Sequence, residues 1–257
     1  MQILKKYTLA ILALSSSVSA VQAVPFEGSY LGGFMGGEHT TVKASAEEHY
    51  KVSGDSIKWE GTSRKSDFQY GLMAGYGTLM NHFYIGGEVS AFHSTGGNNQ
   101  KYGATEYRQN TATGVQNVVG DYPNYAVARI KYERSLVFSL APRIGYVIGK
   151  NFLIFTKLGL EMSNDEISVN IEGENKRYKA SHSEFVLAFA PGLGLEYAIT
   201  NNLLGRIEYT YSGGSRIEHL VKGDNLEDTG NGNTSTQKTY SASRRSHSIK
   251  LGLSYQF

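Results

Sequence analysis

Residues 247–257, HSIKLGLSYQF, alternate side chains without a break. His247, Ile249, Leu251, Leu253, Tyr255 and Phe257 fall on one side, and Ser248, Lys250, Gly252, Ser254 and Gln256 on the other. A period of two is the signature of a strand with one apolar and one polar face. The apolar face must meet something other than water.

The pattern recurs upstream. Residues 203–212 put Leu203, Ile207, Tyr209 and Tyr211 on the apolar side and Arg206, Glu208, Thr210 and Ser212 opposite. Residues 185–199, 152–163 and 136–148 repeat it, with Glu196, then Lys157 and Glu161, then Arg143 on the polar side. Three more strands are expected at 83–91, with Glu88 on the polar side, at 68–78, and at 30–40. In the last of these, a glycine-rich stretch, Leu31 and Met35 are set outward so that Glu38 points in. Eight strands is an even number, and the connections alternate in length. Short turns fall near residues 80–82, 149–151 and 200–202, and long links at 42–66, 94–134, 164–183 and 213–245. The expected fold is all-β: an eight-stranded antiparallel up-and-down transmembrane β-barrel with four long extracellular loops and both termini on the short-turn side. Pro142 and Pro191 lie within two of the strands and suggest bulges, because proline has no N–H to give to a ladder.

The outward aromatics sort by height. Tyr76, Phe83, Tyr146, Phe152, Tyr197, Tyr255 and Phe257 lie beside the short turns, and Phe68, Tyr70, Phe185, Tyr209 and Tyr211 lie toward the long links. Two belts with aliphatic residues between them match a bilayer with two interfaces. Mean hydropathy is −0.32, as suits a wall in which every second residue faces inward. The 30 Gly, 18 Tyr and 11 Phe against 4 Pro suit the same wall.

Lys5 and Lys6 precede an apolar run at 7–14, then small residues and Val21-Gln22-Ala23. This is a secretory leader pattern, too short to span a bilayer. Cleavage is expected after Ala23, with Ala20 as the alternative, so that 1–23 is the leader and 24–257 the barrel domain. With no Cys in the chain, disulfides, thiolate metal sites and a lipid-modified N-terminus are excluded. A net charge of +2 is too small to imply a nucleic-acid partner.

This register directs eight charges inward: Glu88, Glu161, Glu196 and Glu208 against Arg143, Lys157, Arg206 and Lys250. An eight-stranded barrel is just wide enough for side chains to fill, and buried charges must be paired. The balance points to an interior salt-bridge network that plugs the barrel, with a gated ion path as the alternative.

Several segments carry a resemblance. IGGEVSAF at 85–92, LAPRIGYVI at 140–148, KLGLEMS at 157–163, PGLGLEYAI at 191–199, RIEYTYS at 206–212 and the terminal IKLGLSYQF occur in the order and spacing of a known group. The chain resembles the eight-stranded outer-membrane barrels of opacity-protein and surface-antigen type, related in architecture to the OmpA transmembrane domain. The likeness covers all but the long links. It implies a Gram-negative outer-membrane location, a monomer in contact with membrane lipid and lipopolysaccharide, and surface-antigen, adhesion, structural or porin-like roles, with host surface or matrix molecules as partners. It also implies that Tyr255 and Phe257 form the terminal signal read by the barrel-assembly machinery. The chain differs from OmpA in lacking a periplasmic domain after Phe257.

No constellation of catalytic residues stands out. His247 and Ser248 are adjacent in a strand and so point to opposite faces. The seven His are scattered, without metal-ligand spacing. The expectation is therefore a protein that is not an enzyme and needs no cofactor. The second link carries Tyr102, Tyr107, Tyr122 and Tyr125, and the fourth is polar at 223–237. Basic residues gather where links meet strands: Arg64, Lys65, Arg129, Lys131, Lys176, Arg177, Lys179, Arg216, Arg244 and Arg245. They are expected to form an outer-rim collar that pairs with lipopolysaccharide phosphates through charge-assisted bonds.

Overall fold

The computed structural model describes residues 24–50, 56–95, 98–109, 116–172, 177–222 and 235–257. Ten strands form a single antiparallel sheet: β1 Gly28–Tyr50, β2 Ser56–Met80, β3 Phe83–Ser94, β4 Asn98–Gln109, β5 Gln116–Arg134, β6 Val137–Ile148, β7 Phe152–Glu172, β8 Arg177–Ala198, β9 Leu203–Lys222 and β10 Ser235–Gln256. β1 pairs with both β2 and β10, β3 with β6, and β6 with β7, which closes a ring of eight strands. β4 and β5 continue the columns of β3 and β6 upward. β4 pairs with β2 at Ser56–Lys58, and β5 pairs with β7 from Val127 to Arg134. Closure leaves no unpaired edge in the lipid-facing part of the wall.

The long links are not loops over most of their length. β2 alone runs for 25 residues, whereas about 9–11 tilted residues cross a bilayer. The alternation persists beyond the expected strand ends. Val42, Ala44, Ile167, Ile217, Tyr240 and Ala242 point inward and are buried, while Lys43, Arg64, Glu133, Asn164, Arg216 and Arg245 are exposed. In the lipid-facing band the outside is apolar; beyond it the outside turns polar and the inside apolar. A pattern of that kind is invisible to a search for greasy outward faces.

The short turns are tight. Asn81, in the two-residue β2–β3 connection, has φ +60°, and Gly149, in the three-residue β6–β7 connection, has φ +64°, left-handed conformations that tight hairpins use. Both prolines interrupt a ladder without shifting it, so neither forms a bulge. The β6–β7 ladder runs from Leu140↔Leu160 to Arg143↔Lys157 in unchanged register, skipping Ala141 and Pro142. The β8–β9 ladder likewise runs from Phe189↔Gly213 to Gly192↔Thr210. Each proline stays paired on its other side, with Gly87 and Leu158 respectively. The missing N–H therefore costs a local gap and no slip.

The lumen is tiered. At the short-turn end Phe26, Tyr84, Val147, Leu153, Phe155, Ala198 and Leu204 form an apolar plug. Phe26, at φ +71°, is turned into the plug from below, and its N–H donates to Gln256 Oε1 at 2.9 Å. Charged residues fill the tier above, and the buried apolar group from Val42 to Ala242 lies beyond them. Glycines on the inner wall make room for the large inward rings: a Cβ at Gly75 would overlap the Tyr30 ring, and one at Gly194 the Phe155 ring. Gly75→Val is expected to destabilise the barrel by about 1–3 kcal/mol through overpacking, seen as a lower urea midpoint for loss of heat-modifiable migration on gels. Gly37→Val, where nothing lies near the added Cβ, should leave that midpoint within about 0.5 kcal/mol.

Candidate functional site

Among the described residues, twelve charged side chains are buried in the barrel. Glu38, Glu88, Glu161, Asp165, Glu196 and Glu208 face Arg134, Arg143, Lys157, Arg206, Arg244 and Lys250. All eight charges assigned inward from the alternation are among them. Period two fixes their direction, since each shares a side with its strand's buried small residues.

Two guanidiniums organise the lower half. Arg143 Nη2 donates to Glu196 Oε1 at 2.8 Å, and its Nη1 donates to Tyr30 Oη at 2.7 Å. Tyr30 in turn donates to Glu88 Oε2 at 2.9 Å. Arg206 Nε donates to the same Glu196 oxygen at 2.6 Å, and its Nη1 donates to Glu88. The Arg143 guanidinium carbon lies 4.0 Å from the Phe155 ring centroid and 5.3 Å from that of Tyr84. Stacking on aromatic faces suits guanidinium better than ammonium. Lys157 Nζ is 2.7 Å from Glu208 and 3.5 Å from Glu88, and Lys250 is 3.7 Å from Glu208.

The upper half was only partly legible. Arg134 donates to Glu161 at 2.9 Å and to Ser163 Oγ at 3.2 Å. Ser163 donates to Asp165 at 2.7 Å, and Tyr132 donates to the other Asp165 oxygen. Ser212 donates to Glu161 at 2.6 Å, and Ser94 to Glu38 at 2.8 Å. Arg244 pairs with Glu38. Arg134, Asp165 and Arg244 lie beyond the strand ends expected from outward hydrophobicity, which is why that expectation does not include them in the lumen. The sequence signal was present: Lys250, Ser248, Ser246 and Arg244 keep one parity along β10.

Arg244 therefore corrects the collar, since it is a lumen residue at 4% exposure. Other collar members are already engaged: Lys65 with Asp67 at 3.1 Å, Lys131 with Glu133 at 2.7 Å, and Arg216 with Glu218 at 3.2 Å. Arg64 and Arg245 are exposed. Lys176 lies outside the described residues, as do the leader at 1–23 and most of the polar stretch 223–237. The side chains of Arg129, Arg177 and Lys179 and of the four link tyrosines are outside them too. Beyond the lipid-facing band, hydroxyl donors Ser181 and Ser168 hold the Glu166 carboxyl below the usual carboxylate range.

Little space remains within the lattice. Two cavities of about 10 Å³ each lie among the described residues, one beside Lys157, Glu208 and Lys250, the other beside Glu38, Arg134 and Arg244. Such a volume is about one probe sphere, enough for a single water.

On the outside, Tyr76, Phe83, Tyr146, Phe152, Tyr197, Tyr255 and Phe257 are exposed at the short-turn end. Phe68, Tyr70, Phe185 and Tyr209 form the other belt, with Leu72, Leu140, Leu158, Leu193, Ile207 and Leu251 exposed between the two. An apolar exterior bounded by aromatic belts, around a lumen of paired charges, defines a membrane-spanning β-barrel. Residues 8–257 match the family described as outer membrane protein beta-barrel domain, and the chain belongs to that family. It is accordingly a protein of the Gram-negative outer membrane.

A comparison with curated protein sequences finds no match. Among solved structures, the outer membrane protease OmpT from Escherichia coli is similar at 11% identity, over 94% of this chain and 100% of that one, with a TM-score of 0.46. OprG from Pseudomonas aeruginosa is similar at 14% identity, over 92% and 99%, with a TM-score of 0.46. Ail, the attachment invasion locus protein of Yersinia pestis, is similar at 14%, over 90% and 99%, with a TM-score of 0.31. At these identities nothing of the relatives' activities carries to this chain.

Arg143→Ala would leave Glu88 and Glu196 short of a partner in the lumen and is expected to cost about 3–5 kcal/mol of barrel stability. Lys131→Ala, which removes an exposed pair, should cost about 1 kcal/mol or less. Urea unfolding in detergent micelles, followed by tryptophan-independent heat modifiability, measures both; equal midpoints for the two variants would contradict the lattice.

Proposed function

We propose that this protein is a monomeric, non-conducting surface barrel. The lower half of its wall is anchored in the outer membrane, and its tall hairpins stand outside the cell as a surface-antigen or adhesion-type structure. The leader at 1–23 is removed after Ala23, leaving 24–257 as the barrel. Tyr255 and Phe257 serve as the terminal signal for the barrel-assembly machinery. With both termini on the short-turn side, that side faces the periplasm, and the long-hairpin end faces outward.

The observation that carries the non-conducting part is the lumen itself. Among the described residues charges are paired in equal numbers, an apolar plug lies beneath them, and two cavities among them are each about the size of one water. Opening a path would mean separating buried ion pairs, at several kcal/mol for each charge left alone. The observation that supports display is wall height: β1, β2, β7, β8, β9 and β10 each run 20 residues or more, about twice a bilayer crossing. The exposed residues on the upper wall are polar, as a solvated surface requires. Host surface or matrix molecules are the partners that fit a display role, and the wall offers them mixed charge.

Refolded full-length protein is expected to give no single-channel steps in planar bilayers and to retain binding to host-cell or matrix surfaces after refolding. Stable conductance steps from the wild-type chain, with no surface binding, would replace the display reading with a small-solute or ion channel.

A further inference from the structure

Six of the ten expected collar residues have described side chains. Once engaged and inward-facing members are removed, the remaining described cations lie in one sector of the wall, on β10, β1 and β2. Arg245, Thr41 and Arg64 are register partners across those three strands. Arg64 and Arg245 are exposed, and exposed Lys43 lies two residues beyond Thr41 on the same face. Adjacent strands are roughly 4.8 Å apart, so the two arginines flank Thr41 about 10 Å from each other at the backbone, and their side chains can converge above it. Among the described residues none of the three cations has a carboxylate partner. Glu60 lies four residues past Arg64, about 13 Å along the strand, and diagonally across from Lys43, two residues past its partner Thr62 and about 7–8 Å away.

The surroundings add two independent features. One residue pair below lies the row Tyr211, His247, His39 and Ser66. His247 Nδ1 shares a 2.6 Å hydrogen bond with Tyr209 Oη, and His39 Nδ1 shares one of 3.0 Å with Ser66 Oγ. This row is part of the long-hairpin aromatic belt, so the arginines sit at the height of lipid headgroups. The second feature is a register shift between Arg244 and Ser246, which puts Gly213 and Gly214 of β9 beside Arg245. Gly214 is exposed at φ +89°, and nothing lies within 4 Å of where its Cβ would be. The wall is therefore bare next to Arg245. Bulges of this kind re-aim side chains and recur next to functional sites.

We infer that the outer face of β9, β10, β1 and β2 is a binding site for a phosphate group of an outer-leaflet glycolipid, held by Arg64, Arg245 and Lys43 over Thr41, with the acyl chains lying on the apolar band below. Guanidinium meets phosphate with parallel N–H donors, so a monoester phosphate is the favoured partner for such a pair. Among the described side chains of β5 and β7, by contrast, Lys131 is paired with Glu133, and Glu166 takes hydroxyl donors. The inference rests on the outward orientation of the long-hairpin end proposed above. It does not depend on what the hairpin tips bind, and conductance and surface-binding measurements on the same protein report on that separately.

The test uses full-length protein refolded into phosphatidylcholine vesicles that contain bisphosphoryl lipid A, with bound lipid counted by native mass spectrometry after extraction. Removing a guanidinium from a lipid surface contact weakens it about fivefold, and removing two about thirtyfold. Retention by the Arg64→Ala/Arg245→Ala protein should fall by about that factor, while Lys131→Ala/Lys150→Ala, which removes two cations away from this face, should retain lipid like the wild type. Both variants must keep heat-modifiable migration. If the first does not fold, wild-type protein with lipid A stripped of its phosphates replaces it, and retention should fall to a comparable degree. Inorganic phosphate at the lipid's concentration should not displace lipid A. Unchanged retention after loss of Arg64 and Arg245, an equal fall in the control variant, retention of the phosphate-free lipid, or displacement by inorganic phosphate would each overturn the assignment.

Discussion

The structure depends on pairing charge where water cannot reach it. Among the described residues, six carboxylates and six cations occupy the lumen, and a lone charge there is costly. The pairs join different strands, across the lumen or across the closing β1–β10 seam, instead of running along one strand. Arg143 of β6 bonds Glu196 of β8, Arg206 of β9 bonds Glu88 of β3, and Arg244 of β10 bonds Glu38 of β1. Such a lattice can be satisfied only when the sheet has closed, so closure and charge pairing enforce one another. The apolar plug below depends on the same geometry, because Phe155 forms part of the plug and also stacks on Arg143 and Arg206.

This arrangement separates the two surfaces of the wall into different tasks. The lumen carries stability and leaves little room for transport. The exterior changes character with height, from apolar between the belts to polar above them, which places lipid contact and solvent contact on the same strands. Because the strands continue far past the lipid-facing band, whatever the protein meets outside the cell meets a stiff wall before it meets hairpin tips.

Much of this was legible in the sequence where alternation was strong. The ring of eight strands, the three short turns, both aromatic belts and the direction of Glu88, Arg143, Lys157, Glu161, Glu196, Arg206, Glu208 and Lys250 follow from period two alone. The alternation was lost at Thr40, Ser163 and His247, where the outward residues become polar while the inward ones become apolar or charged. Judged by outward hydrophobicity, the continuing strands look like loops. Arg244 was assigned to the rim for that reason, although its parity with Lys250 placed it inside.

The sequence by itself determined the wall: a ring of eight strands, its short turns, and which face of each strand meets lipid. These are local properties, because a side chain's direction in a strand is set by its neighbours one and two residues away. Only the tertiary structure decided which charge meets which, which of the described basic residues are already engaged, and that Arg64 and Arg245 share a single sector. Those facts depend on residues brought together across a closed ring, as with Arg244 and Glu38, 206 positions apart in the chain. Spacing along the sequence carries no information about such a pair until the strands are in register.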